Sequence, residues 1–156
     1  MDCTDYSTVD WLPFDSKRFT YKFHGPGLRY EIALSIAKCY IVHIRGPFLP
    51  GQYNDLTIAR TGLHYKLPRG EWYLADRGYA SAGSPAITFD MLGTENEKNR
   101  MKRIRGRHET INRRFKEWGI LSQKYRHDED MHGYVFKCIA VLVQIDINQG
   151  NNVWQA

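Results

Sequence analysis

Three carboxylates stand in places where they could organise chemistry on a phosphate. Asp2 lies in Asp2-Cys3-Thr4, Asp76 closes the run Trp72-Tyr73-Leu74-Ala75-Asp76-Arg77-Gly78-Tyr79, and Glu109 lies in Arg107-His108-Glu109-Thr110-Ile111-Asn112. Acids repel a polyanion unless a divalent cation stands between them, and Mg²⁺ takes oxygen ligands of this kind. The rest of the chain is built to attract polyanions. From Lys98 to Arg126 there are eleven Lys or Arg against two acids, Glu109 and Glu117, which places half of the 22 basic residues within 29 positions. A strip this concentrated is the electrostatic footprint of a nucleic-acid partner. Each acid also has an ordinary reading. Glu109 can be a helix-surface acid paired at i±4 with Arg105 or Arg113, Asp76 a turn residue before Gly78, and Asp2 a residue of no special role. Asp55, after Gly51-Gln52-Tyr53-Asn54, is a further acid that fits either a helix start or a site.

The elements that must hold these residues read as sheet first and helix later. Tyr6 to Val9, Phe19 to Phe23, Leu28 to Ala37 and Tyr40 to Ile44 have strand-like alternation or density, with Gly25-Pro26-Gly27 as a turn and Lys38-Cys39 joining the last two. Arg45 to Gly51 is expected to break the sheet. Asn54 or Asp55 caps a short helix whose apolar positions are Leu56, Ile58, Ala59 and Leu63. Glu71 to Ala75 reads as a strand delivering Asp76, and Ala86 to Phe89 as another. Ile104, His108, Ile111, Phe115 and Trp118 make one apolar stripe on a helix from Glu95 to Leu121. Glu109 stands on the polar side of that helix with Arg105, Asn112 and Lys116. A last helix, Tyr134 to Gln149, looks buried almost all round. This order predicts a single-domain α/β fold, a mixed central sheet flanked by helices, with site residues at strand ends.

Composition narrows the class. At 156 residues and 42% hydrophobic, the chain can bury one core. Net charge is +5, with a pI near 9.1. Three scattered cysteines, Cys3, Cys39 and Cys138, show no CxxC spacing, so a disulfide framework and a structural zinc site are not expected; Cys39 and Cys138 read as small core residues. No run approaches the ~18 apolar residues of a membrane span, and the polar start is unlike a signal peptide. The expectation is an intracellular, non-secreted protein. His127 and His132 read as parts of a solvated loop. Nucleotide-cofactor motifs are absent.

In their order along the chain, these segments resemble the catalytic domain of Harbinger-type DDE transposases, members of the DDE superfamily of endonucleases. The matching stretches are Asp2-Cys3-Thr4, Leu28-Arg29-Tyr30-Glu31, Gly46-Pro47, Pro50-Gly51 leading to Asn54-Asp55-Leu56, Leu74 to Tyr79, Arg107 to Asn112, Phe115-Lys116 and Leu121. The resemblance implies a ribonuclease-H-like fold with Asp2, Asp76 and Glu109 as catalytic and metal-binding acids. It implies Mg²⁺ or Mn²⁺, as a pair of ions that neutralise the phosphate and stabilise the leaving oxygen. Arg103, Arg105, Arg107, Arg113, Arg114 and Lys116 would then contact DNA. The implied activity is hydrolysis of phosphodiester bonds and joining of a DNA 3′-hydroxyl to a target, by a homo-oligomer in the nucleus, or in the cytoplasm if the source is prokaryotic. The expectation is one DDE domain over residues 1–156 without an N-terminal DNA-binding region, which a separate DNA-binding protein could supply. The other reading is a truncated, catalytically silent DNA-binding or interaction module derived from such an enzyme.

Overall fold

A computed structural model describes residues 1–10 and 12–151. Among the described residues six strands, β1 (Asp2–Ser7), β2 (Phe19–Thr20), β3 (Gly25–Leu34), β4 (Ile41–Phe48), β5 (Tyr73–Leu74) and β6 (Ala86–Ile87), combine with five α-helices and three short 3-10 turns. The helices are α1 (Asp55–Arg60), α2 (Leu63–Lys66), α3 (Glu95–Lys116), α4 (Gly119–Ser122) and α5 (Glu129–Asn148). Strand β3 is central. It pairs antiparallel with β1, from Asp2 opposite Ile32 to Ser7 opposite Gly27, and with β4 on its other edge. A separate parallel pair, β5 and β6, is brought beside β1 by the Met1 nitrogen, which donates to the Leu74 carbonyl at 2.7 Å. The chain is α/β, but its central sheet is antiparallel throughout rather than mixed; the parallel pairing lies in the separate β5–β6 pair.

Period-two alternation divides the core between the two faces of the sheet. Tyr6, Leu28, Tyr30 and Ile32 point to one face and pack against Ile111 and Phe115 of α3, Leu121 of α4, and Phe136, Ile139 and Val143 of α5. Cys3 and Ala33 point to the other and pack with Ile58, Ala59, Leu63, Tyr73 and Tyr79. The chain is thus layered helix, sheet, helix, and residues in even positions of β1 look toward α3.

Several boundaries differ from the sequence reading. Gly25-Pro26-Gly27 lies within β3 rather than in a turn. Strand β4 does not break at Arg45 but continues through Gly46-Pro47 to Phe48. Gly46 permits this by adopting φ +143°, where a Cβ would meet the Tyr30 ring at 2.6 Å and the Arg29 carbonyl at 2.7 Å. Helix α3 stops at Lys116; Trp118 turns out in extended conformation, 41% exposed, so that Leu121 enters the core in its place. Met101 joins the buried stripe from the other end. Helix α5 starts at Glu129, capped by the Asp128 carboxylate on Asp130 N at 3.0 Å. His132 is therefore a core residue, not a loop residue, stacked on Tyr30 and accepting or donating at 2.7 Å to its hydroxyl. Nor is α5 buried all round. Its outer face, including Cys138, is exposed, whereas Cys39 is half-buried against the core.

Candidate active site

Asp2, Asp76 and Glu109 line one cleft of about 60 Å³, although they come from three different elements. Asp2 opens β1 on the face covered by α3. Asp76 leaves the end of β5, where its carboxylate caps the turn Arg77–Tyr79 by accepting from Arg77 N at 2.7 Å. Glu109 belongs to the middle of α3, whose capping box at Thr94 and Glu97 sets its start. Spacing of i, i+3 and i+4 puts Arg105, His108 and Glu109 on neighbouring positions of the same helix flank. Met101 and Ile104 supply an apolar wall beside them.

The three acids differ in environment. Asp2 is half-buried; burial raises its proton affinity, which Lys22 and the Cys3 amide (2.8 Å) partly offset. Asp76 is exposed and has one oxygen 3.7 Å from the Arg105 guanidinium. Glu109 is exposed and makes no ion pair within 4.0 Å among the described residues, so its pairing with Arg105 or Arg113 does not form. Burial holds His108 neutral, its pKa pushed down to about 2, and its Nδ1 is without a hydrogen-bond partner. Hard carboxylate oxygens converging on one cleft are the donor chemistry that Mg²⁺ prefers. The carboxylates do not close on a common point: among the described residues no three His, Cys, Asp or Glu side chains are grouped so as to hold a metal ion.

Asp55 does not line that cleft, although its charge acts on Asp2 and adds to the rise in that residue's proton affinity. Asn54 is the helix cap, accepting from Thr57 N at 2.8 Å. Asp55 instead takes an Arg29 Nη1 at 2.9 Å, and its other oxygen faces Gly78. Arg29 also grips Asp5 with two bonds, Nε at 2.7 Å and Nη2 at 2.8 Å, while Thr20 donates its hydroxyl to the same carboxylate. Neither this half-buried network nor the fully buried Glu31, paired with His43 at 2.9 Å, is among the site residues that the sequence leads one to expect. Their signal was present: Arg29 and Glu31 stand two apart in an apolar strand, hence on one face, and a buried charge needs a partner.

The basic residues of α3 divide by role. Arg103, Arg105, Arg113 and Lys116 are exposed. Arg107 donates to the Ile36 carbonyl at 2.6 Å. Arg114 forms a close ion pair with Asp146 and donates to the Asn151 carbonyl at 3.2 Å, which ties α3 to the end of α5. Among the described residues no helix is long and apolar enough to cross a membrane.

A family model described as DDE superfamily endonuclease matches residues 3–144, nearly the whole chain. No curated protein and no solved structure matches it.

Proposed function

The chain belongs to the DDE superfamily of endonucleases, and from that premise we propose that it is a divalent-metal-dependent nuclease and transposase domain with Asp2, Asp76 and Glu109 as its catalytic acids. Family membership places it among nucleases and transposases, whose substrate is DNA. The observation that carries the site assignment is the shared cleft, which collects three acids distant in sequence from β1, the end of β5 and α3. A ribonuclease-H-like fold extends the same reading; it is supported by a sheet of β1, β2 and β4 on the central β3, a parallel β5–β6 pair beside Met1, and helices on both faces.

Mg²⁺ or Mn²⁺, bound by these carboxylates as a pair of ions, would neutralise the phosphate and activate water. The residues themselves do the placing. Asp2, half-buried, holds a carboxylate that burial penalises until a cation compensates it. Asp76 and Glu109 are exposed at the same cleft, where a cation could draw on them together with Asp2. Arg105 is positioned to exchange Asp76 for a DNA phosphate, and neutral His108 keeps a second positive charge out of the cleft. Arg103, Arg113 and Lys116 present cations to the backbone, Arg107 and Arg114 brace the helix that carries them, and Asp55 acts through Arg29 on β1. Joining a DNA 3′-hydroxyl to a target, the Harbinger-type subclass, action as a homo-oligomer and help from a separate DNA-binding protein extend the same reading.

Metal-dependent nicking of duplex DNA tests it. Asp76→Asn and Glu109→Gln should each abolish Mg²⁺- or Mn²⁺-dependent nicking and leave DNA binding intact. A second reading, a silent DNA-binding module, is favoured by the open arrangement of the acids and by Arg105 beside Asp76. Purified chain that binds DNA but neither nicks it nor takes up Mn²⁺ establishes that second reading.

A further inference from the structure

Strand β2 and the turn after it are tied to β1 by side chains that belong neither to the basic strip of α3 nor to the cleft lining. Thr20 donates its hydroxyl to the Asp5 carboxylate and accepts from the Lys22 amide at 3.2 Å. The Lys22 ammonium then reaches back to β1 and donates to the Cys3 carbonyl at 2.6 Å. His24 closes the turn at φ +52°, and β3 begins at Gly25. Asp5 is itself gripped by Arg29 through Nε and Nη2. The Arg29–Asp5–Thr20 network therefore has a local consequence: it sets one lysine side chain against β1, at the residue that follows Asp2.

A backbone carbonyl takes one of the ammonium's protons and none of its charge; the other protons remain for a ligand. Among the described residues no carboxylate lies within ion-pair distance of Lys22. Its positive charge is nevertheless the main one that offsets burial at Asp2, and it favours ionised Asp5 as well. Lys22 and its neighbour Tyr21 are exposed, Tyr21 by 82%, so the ammonium is open to a ligand at the Asp2 end of the cleft. Arg105 of α3 stands at the Asp76 side of the same cleft. A compact, strongly hydrated ammonium suits a phosphate oxygen as a point charge. We propose that Lys22 is a substrate-contacting residue that takes a DNA backbone phosphate at the Asp2 end of the cleft, positioned there by the Arg29–Asp5–Thr20 network. The identity of the substrate rests on the nuclease reading; the seat of the ammonium does not.

Metal-free binding of duplex DNA by the intact chain, followed by fluorescence anisotropy over a salt series, reads Lys22 directly. Lys22→Met keeps the stem and removes the charge; it should lower the salt slope of log K by about one, and Lys22→Arg should restore it. Mn²⁺ binding without DNA, followed by electron paramagnetic resonance, separates a free cation from a mere tether of the turn. Loss of a positive charge beside Asp2 should tighten Mn²⁺ by about three- to fivefold, whereas a loosened β1 would not tighten it. Thr20→Val frees the turn from Asp5, so it should weaken DNA binding in the wild type and add nothing to Lys22→Met. Circular dichroism confirms that each variant is folded. An unchanged salt slope in Lys22→Met, or Mn²⁺ binding that fails to tighten in it, overturns the phosphate contact; additive losses from Thr20→Val and Lys22→Met overturn the positioning. A wild-type chain that takes up no Mn²⁺ overturns the nuclease reading instead, and the salt slope alone then decides Lys22.

Discussion

Replacing Arg29 with Met should cost this protein a large part of its stability, and the cost should fade in acid. The Asp5 side chain is fully buried and that of Arg29 is 13% exposed. Two of the guanidinium's bonds go to Asp5 and one to Asp55. Methionine keeps much of the volume but leaves a buried carboxylate without its hydrogen-bonded cation, a defect of about 3–5 kcal/mol. Against a total of roughly 5–15 kcal/mol, that is severe. Asp55→Asn removes the charge of a side chain that is 26% exposed, keeps an oxygen that can accept from Arg29, and leaves Asp5 paired; about 1 kcal/mol is expected. Burial by itself would raise the Asp5 pKa, but the Arg29 hydrogen bonds, with Lys22 and Thr20, bring it below the usual carboxylate value. A depressed carboxylate contributes stability above its unfolded pKa and loses it as pH falls through the folded one. Without Arg29, burial governs, the folded pKa rises, and protonation in acid relieves the folded state. Urea unfolding followed by circular dichroism at pH 7 and at pH 4 measures both effects. A deficit below about 1 kcal/mol at pH 7, a deficit equal at both pH values, or an Asp55→Asn loss matching that of Arg29→Met would refute the reasoning.

Other expectations follow from the same contacts. His108 and His132 are held neutral by burial, with pKa values pushed down to about 2 and about 4. Their stabilising contribution is therefore complete above the unfolded value and is lost as pH falls below it, at about 1.4 kcal/mol per pH unit for each residue. His132→Phe should roughly halve the slope between pH 6 and about pH 4.5; an unchanged slope shows that His132 does not titrate with unfolding. For DNA binding, Arg103→Ala, Arg113→Ala and Lys116→Ala should each lower the salt slope of log K by about one. Arg114→Ala should instead act on stability, since its guanidinium is committed to Asp146 and Asn151; fluorescence anisotropy over a salt series, with thermal melts in parallel, separates the two groups, and a larger slope change at Arg114 than at Arg113 would reverse the assignment.

The sequence was most legible where periodicity is strong and the partner surface is implied by it. The stripe Ile104, His108, Ile111 and Phe115 defined α3 and its buried face, and Asn54 marked the start of α1, because helix spacing and capping are local properties. Boundaries set by tertiary contact were not legible. Trp118 continues the helical spacing in sequence, yet Leu121 takes the core position, since the choice depends on where α4 meets β1. His132 reads as polar and loop-like until α5 is laid against Tyr30, and the outer stripe of α5 reads as buried until the sheet proves to cover only one side of the helix.

By itself, then, the sequence determined the family, through ordered motifs, and singled out three acids and a basic strip as the candidates for its chemistry. Residue type and order are enough for that, because each motif is short and continuous. Only the tertiary structure decided their company. It put Asp2, Asp76 and Glu109 around one cleft, drew Asp55 away to Arg29, and committed Arg107 and Arg114 to structural bonds. Those outcomes depend on distances of a few ångströms between segments tens of residues apart, and no local spacing encodes them.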